Sequence, residues 1–228
     1  ADLKVFAAAM VRAIKDGKEF IIRSAASLPK VLGRIEDQPL LCRDQLLEPT
    51  KNGGLVLVGS HVKKTTQQLD ELKTTDKDID FIEFHVRVCF DENLMEDEIS
   101  RIVEVLERQI AGGHTVVIYT SRRLLSPADM TVEEKLRLSV RISEAVTSII
   151  RRIKVKPRFL IAKGGITSSD VGTKALHVKK ARVMGQVRSG IPVWRTGAES
   201  KFPGMPYIIF PGNVGENSTL KEIVEELI

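Results

Sequence analysis

The sequence is poor in the residues that advertise chemistry. It holds two cysteines, Cys42 and Cys89, with no short spacing between them. That excludes a disulfide framework and suits a reducing compartment. Its four histidines, His61, His85, His114 and His177, show no metal-ligand spacing, and two cysteines cannot complete a zinc site with them. Aromatic residues make up 5% of the chain, too few for a basic patch interleaved with stacking rings on a nucleic acid. No apolar run approaches the length of a membrane span. "ADLKVFAAAM" lacks the basic leader of a signal peptide, so the cytoplasm is the expected compartment. G-x-S-x-G, G-x-x-x-x-G-K-S/T and G-x-G-x-x-G are all missing. Serine hydrolases are thus without support, and a dinucleotide-binding dehydrogenase is disfavoured.

What is present is an ordinary globular balance, 43% hydrophobic and 29% charged over 228 residues. A chain of that length can bury a core without disulfides or metals. The net charge of +5 is spread among thirty acids. The densest basic clusters, Arg151–Lys156 and Lys179–Arg182, read as a solvated helix end and a loop. The chain opens on a helical pattern without an initiator methionine and is expected to be part of something longer.

Leu3, Phe6, Ala7, Met10, Val11 and Ile14 recur at helical spacing before Gly17. "EFIIRSA" (Glu19 to Ala25) predicts a strand, and "SLPKVLGRI" a short helix. Residues 36 to 53 predict an irregular connection. "GLVLVGS" predicts a short strand covered on both faces. "KKTTQQLDELK" predicts a helix, and "DIDFIEFHVRVCF" one or two strands. A helix over Glu96–Gln109, a strand in "HTVVIYTS" and a long helix capped by Thr131 and running to about Arg152 follow. "FLIAKGGITSSDVGTKAL" passes from strand through two glycines into a helix. "ARVMGQVRSGIPVWRTG" mixes strand and turns, "MPYIIF" is the last core strand, and a helix closes the chain. Strands and helices alternate throughout. That predicts an α/β fold: one domain, with a mainly parallel sheet covered by helices on both faces.

Several strands end alike. Leu55–Val58 runs into Gly59-Ser60, Val116–Tyr119 into Thr120-Ser121, Phe159–Ala162 into Lys163-Gly164-Gly165, and Ile208–Phe210 into "PGNVG". In an open α/β sheet, ligands bind outside the carboxyl ends of the strands. Parallel strands would bring these endings to one edge. Glycines admit a ligand close to the backbone, and helix N-termini offer N–H groups to an anion. Ser60, Thr167 and Ser168 would add neutral donors, and Lys163 a charge. Thr167 or Ser168 could equally serve only as an N-cap. His61, beside Ser60, could face the same ligand, and Trp194 could fill the core or stack on a base.

"KEFIIRSAASL", "GLVLVGSHVKKTTQQLDEL", "AKGGITSSDV", "SGIPVWR" and "FPGNVG" occur in an order that resembles the C-terminal nucleotide-binding domain of the four-carbon acid sugar kinase family. The resemblance spans essentially the whole chain, 1–228. It implies Mg²⁺-ATP-dependent phosphorylation of a hydroxyl on a tetronate or 3-oxo-tetronate. The sugar acid would bind an N-terminal domain absent from this chain, so the chain alone is expected to be inactive. By position, Ser60 would touch the nucleotide and Gly164, Gly165 and Thr167 would cradle phosphates. Gly212, Asn213 and Gly215 would form the opposite wall, with Gly190 a neighbour. The resemblance implies no protein metal site and assigns no catalytic residue here. Lys163 and Ile166 replace the threonine and the acid that flank the two glycines in the family, and Phe210-Pro211 replace lysine-serine. Lys163 could act as a phosphate ligand or mark altered nucleotide use. A non-catalytic nucleotide-binding or interaction module of a larger fusion is the alternative. Nucleic acid and membrane are not expected partners, and self-association is left open.

Overall fold

The computed structural model describes residues 2–122 and 130–228. The chain divides into two compact units, residues 1–39 and Leu40–Ile228.

The larger unit carries the sheet. Its strands are β1 (Leu55–Val58), β2 (Ile79–Phe84), β3 (Thr115–Thr120), β4 (Leu160–Lys163), β5 (Ala181–Arg188), β6 (Ile191–Thr196) and β7 (Pro206–Phe210). They form one seven-stranded sheet in the order β2-β3-β1-β4-β7-β6-β5. The neighbours from β2 through β7 are parallel. The last two pairings, β7–β6 and β6–β5, are antiparallel. The mixed region after the glycine-rich stretch is therefore a β-hairpin appended to a parallel sheet.

The central strands are uniformly apolar because both faces are covered. Successive side chains alternate between the faces. Leu55 and Leu57 point into one core with Leu160, Ala162, Val116 and Ile118. Val56 and Val58 point into the other with Val117, Ile161 and Phe210. The first core is closed by α5 (Glu92–Ala111), by α6 (Val132–Arg152) and by the segment after β4, which comprises α7 (Gly165–Asp170) and a wider turn at Val171–Ala175. The second is closed by α4 (Lys63–Leu72) and α8 (Thr219–Leu227), through Leu69, Leu72, Leu220 and Val224. Thr131 caps α6 as expected, its hydroxyl accepting from the Glu134 N–H while the Glu134 carboxylate returns to the Thr131 N–H.

The smaller unit holds α1 (Asp2–Lys15) and α2 (Ser27–Leu32). Three expectations change in the structure. Glu19–Ala25 joins no strand, since among the described residues no strand pairs with it. Val86–Phe90 coils into a single 3₁₀ turn as the chain leaves the edge strand β2. The irregular stretch 36–53 contains one short helix, α3 (Arg43–Leu46).

The fully buried strand β1 makes a direct test. Leu57→Ala should lower the unfolding free energy by about 2–5 kcal/mol, read by urea denaturation with far-UV circular dichroism. Glu104→Ala, on the solvent side of α5, should stay within about 0.5 kcal/mol of the parent.

Candidate functional site

β1, β4 and β7 lie side by side with level ends, Val58 opposite Lys163 and Lys163 opposite Phe210. The chain leaves β1 for α4 on one face. It leaves β4 for α7 on the other face, and β7 for α8 back on the first. Adjacent strands whose helices depart to opposite faces open a crevice at their carboxyl ends.

Two glycines let the β1 and β4 endings meet. The Gly59 N–H donates to the Lys163 carbonyl at 3.3 Å, and the Gly164 N–H donates to the Phe210 carbonyl at 2.8 Å. A Cβ on Gly59 would lie 2.4 Å from Thr167 Oγ1. Gly164 has φ +126°, and a Cβ there would lie 3.0 Å from Ser60 Cβ. Such a φ is left to glycine. Gly165 differs: a Cβ there would meet nothing within 4 Å. It borders a cavity of about 430 Å³. One wall is the β1 ending, Gly59, Ser60 and His61, and a second is Gly164, Gly165, Ile166 and Thr167. The apolar wall comes from Leu138, Ile142 and Val146 of α6, with Val86. Apolar walls suit a flat ring or base, and the lining also carries the polar side chains of Lys135, Ser139 and Ser143 on α6.

The β3 ending fastens this edge. Arg122 donates from Nη1 to the Ser60 carbonyl at 2.7 Å and from Nη2 to Thr120 Oγ1 at 2.5 Å. Its Nε reaches the Thr120 carbonyl at 2.9 Å. His61 Nε2 lies 3.3 Å from the same Thr120 hydroxyl. Burial, and secondly the Arg122 charge, push the His61 imidazole below its ordinary pKa, so it stands neutral at pH 7. Sequence reasoning took "YTS" as a hydroxyl ending and passed over Arg122. The basic residue directly after those hydroxyls was the signal.

The expected residues fall into two groups that meet at Ser60. Ser60, Gly164, Gly165 and Thr167 line the cavity. Gly212 lies across Ser60, where a Cβ would be 3.2 Å from Ser60 Oγ. Gly212, Asn213 and Gly215 belong to the β7–α8 loop, which α4 holds through Thr65 Oγ1 to the Gly212 carbonyl, 2.9 Å, and Gln68 Nε2 to the Val214 carbonyl, 3.0 Å. Asn213 is exposed on this loop. Gly190 forms the β5–β6 turn and approaches the loop at Val214. Ser168 turns inward, its hydroxyl 2.7 Å from the carbonyls of Ala162 and Gly164. Gly164, not Thr167 or Ser168, occupies the N-cap position of α7. Ile166, in the place of an acid, is 76% exposed.

Lys163 is fully buried. Its Nζ donates to the carbonyls of Pro211, 2.6 Å, and Gly212, 3.2 Å, and sits 3.9 Å from the centre of the Phe210 ring. It ties the β4 end to the β7 loop. Burial, and secondly Lys64, push its ammonium down to about 7. The two carbonyls and the ring face favour the charged form in return. Among the described residues, no cluster of three or more acids, histidines or cysteines could hold a metal. Asp170, the acid at the end of α7, is taken by Ser143, 2.9 Å, and Lys174, 2.9 Å. The residues present fit a nucleotide better than a metal of their own.

Two predictions test this geometry. Gly59→Ala should destabilise the fold by about 1–3 kcal/mol through the clash with Thr167, whereas Gly165→Ala should be neutral or raise stability by up to about 1 kcal/mol, both by urea unfolding. For Lys163, the folded chain releases its proton near pH 7, and an unfolded lysine holds it to about 10.4. Between those values the unfolded chain binds more protons, so stability should rise with pH across that window and be lowest below it. Lys163→Met should flatten the rise. The difference between the two slopes is the readout, because Lys201, pushed down to about 8, titrates in both proteins.

The model of a family described as the nucleotide-binding C-terminal domain matches residues 55–220. No curated protein matches the chain. Among solved structures, it is similar to a domain of unknown function (DUF1537) from Bordetella bronchiseptica, solved with bound citrate as a domain-swapped dimer. That likeness has a TM-score of 0.57 at 19% identity, covering 77% of this chain and 41% of that one. A DUF1537 protein from Haemophilus influenzae, HI1011, gives a TM-score of 0.55 at 18% identity, covering 79% and 42%. The chain thus spans about two-fifths of the length of these structures, whose low identity carries the fold alone. The family match runs from the first residue of β1 into α8 and takes in every wall of the cavity, so the chain belongs to the nucleotide-binding C-terminal domain family.

Proposed function

We propose that the cavity at the β1–β4 crevice binds ATP and that the chain is the ATP-binding part of a kinase acting on a hydroxyl of a four-carbon sugar acid. The observation that carries the reading is Gly165, a glycine within the family-matched span whose missing side chain faces open space at the end of a strand. The base would lie along Leu138, Ile142 and Val146. Phosphates would reach the Ser60 and Gly164–Thr167 endings, with Gly212 and Asn213 closing over Ser60. Mg²⁺ would arrive on the phosphate oxygens, since among the described residues the cavity lining includes no carboxylate. Phosphoryl transfer depends mainly on positioning and charge stabilisation, so this part needs no activated nucleophile. The resemblance puts the sugar acid on another domain. The second reading is a module that binds nucleotide without turnover.

Titration calorimetry with Mg²⁺-ADP should show saturable binding by the chain. Gly165→Val should weaken it by about tenfold or more, equivalent to 1.4 kcal/mol, with unfolding unchanged. No heat from the parent at millimolar nucleotide would refute the reading. Turnover on tetronates once the longer protein is assayed separates the kinase from the silent module.

A further inference from the structure

Three residues at the β1 and β3 endings form a relay of hydrogen bonds whose last donor is unused. Thr120 is fully buried. Among the described residues its hydroxyl meets two groups, Arg122 Nη2 at 2.5 Å and His61 Nε2 at 3.3 Å. A guanidinium only donates, so Thr120 Oγ1 accepts from Arg122. The buried hydroxyl proton then needs an acceptor, and the group within reach is His61 Nε2. That nitrogen therefore carries no proton, and the neutral ring holds its own on Nδ1. Burial and the Arg122 charge both keep the ring neutral. So does the relay, because a proton on Nε2 would strand the Thr120 hydroxyl.

His61 is exposed and lines the cavity, and its Nδ1–H has no acceptor among the described residues. Two hydroxyls of the same lining are in a similar position. Ser60 Oγ accepts from the Val62 N–H at 3.4 Å and keeps its own proton for another group. Thr167 is only 7% exposed, and among the described residues its hydroxyl has no partner. Lys135, which lines the cavity from α6, can only donate. Donors in excess, with no carboxylate among the described lining residues, match a ligand group that only accepts. Phosphate oxygens are such a group. We propose that His61 binds the phosphate chain of the nucleotide, donating from Nδ1 to one of its oxygens, and that Thr120 and Arg122 are positioning residues that fix the tautomer. The inference rests on the nucleotide reading and adds to it the residue that holds the phosphates from the β1 side. All three residues lie within the family-matched span.

The test combines spectra and calorimetry on the 228-residue chain. Nitrogen-15 spectra of the histidine rings, with His61→Asn to assign the signal, should show His61 as the Nδ1–H form. Thr120→Val should move that signal toward the Nε2–H form. In titrations with Mg²⁺-ADP, His61→Ala should bind about tenfold more weakly than the parent, equivalent to 1.4 kcal/mol. The side-chain amide of His61→Asn takes the place of Nδ1, so this variant should bind within about threefold of the parent. His61→Gln carries its amide at the place of Nε2 and should be as weak as His61→Ala. Phosphorus-31 spectra of bound Mg²⁺-ADP should differ between the parent and His61→Ala. An Nε2–H form in the parent would overturn the proposal. So would equal affinity of the parent and His61→Ala, His61→Asn as weak as His61→Ala, or phosphorus spectra that coincide. In each of those cases the nucleotide reading stands. A parent that binds no nucleotide overturns both, so the two failures are told apart.

Discussion

The contact on which the candidate site depends is the near-touch between the endings of β1 and β4. Gly59 and Gly164 have no side chains, and into that space fall Ser60 and the hydroxyl of Thr167. With level ends and helices leaving to opposite faces, the two strands cannot close over each other, and the crevice between them stays open. The cavity, its apolar α6 wall and its polar rim all follow from that divergence. Gly165 alone among these glycines spends its missing side chain on open space rather than on packing.

Two basic side chains, the half-buried Arg122 and the buried Lys163, brace the same edge by bonding to carbonyls instead of to acids. Arg122 reaches the ends of β1 and β3, and Lys163 reaches the loop after β7. A buried charge is costly unless its donors are satisfied. Carbonyl oxygens at strand ends have finished their ladder and are free to accept, so the strand ends themselves supply the partners. One consequence is electrostatic: the Arg122 guanidinium keeps a positive charge at the carboxyl ends of β1 and β3 without an acid beside it among the described residues. Another is mechanical. Lys163, read from sequence as a possible phosphate ligand or a sign of altered nucleotide use, spends its donors on Pro211 and Gly212 and so sets the height of the loop that faces Ser60.

Much of the fold was legible because its signals are local. Four consecutive apolar residues in β1, the Thr131–Glu134 cap of α6 and the glycines after β4 each declare an element within a few positions. The site was legible in part for the same reason: glycines and hydroxyls at strand ends are visible one by one. Val86, Leu138, Ile142 and Val146 were not, because an apolar residue that lines a cavity reads the same as one that fills a core. Arg122 is not legible because the strand it ties to its own, β1 with Val58 and Ser60, is some sixty positions away. Glu19–Ala25 was over-read, since β-propensity reports a preference for pleated surroundings and not the existence of a neighbour.

The sequence by itself determined that strands and helices alternate, that the central strands are buried on both faces, and that small and hydroxyl residues stand where strands end. Periodicity and local sterics suffice for each. Tertiary structure alone decided the strand order, the antiparallel hairpin at one edge and the opposite departures of α4 and α7. It also decided which strand endings meet, and that Ser168 turns inward while Ser60 and Gly165 face a cavity. Those outcomes depend on which surfaces find one another across the sheet, and pairings between residues a hundred positions apart leave no mark within either stretch.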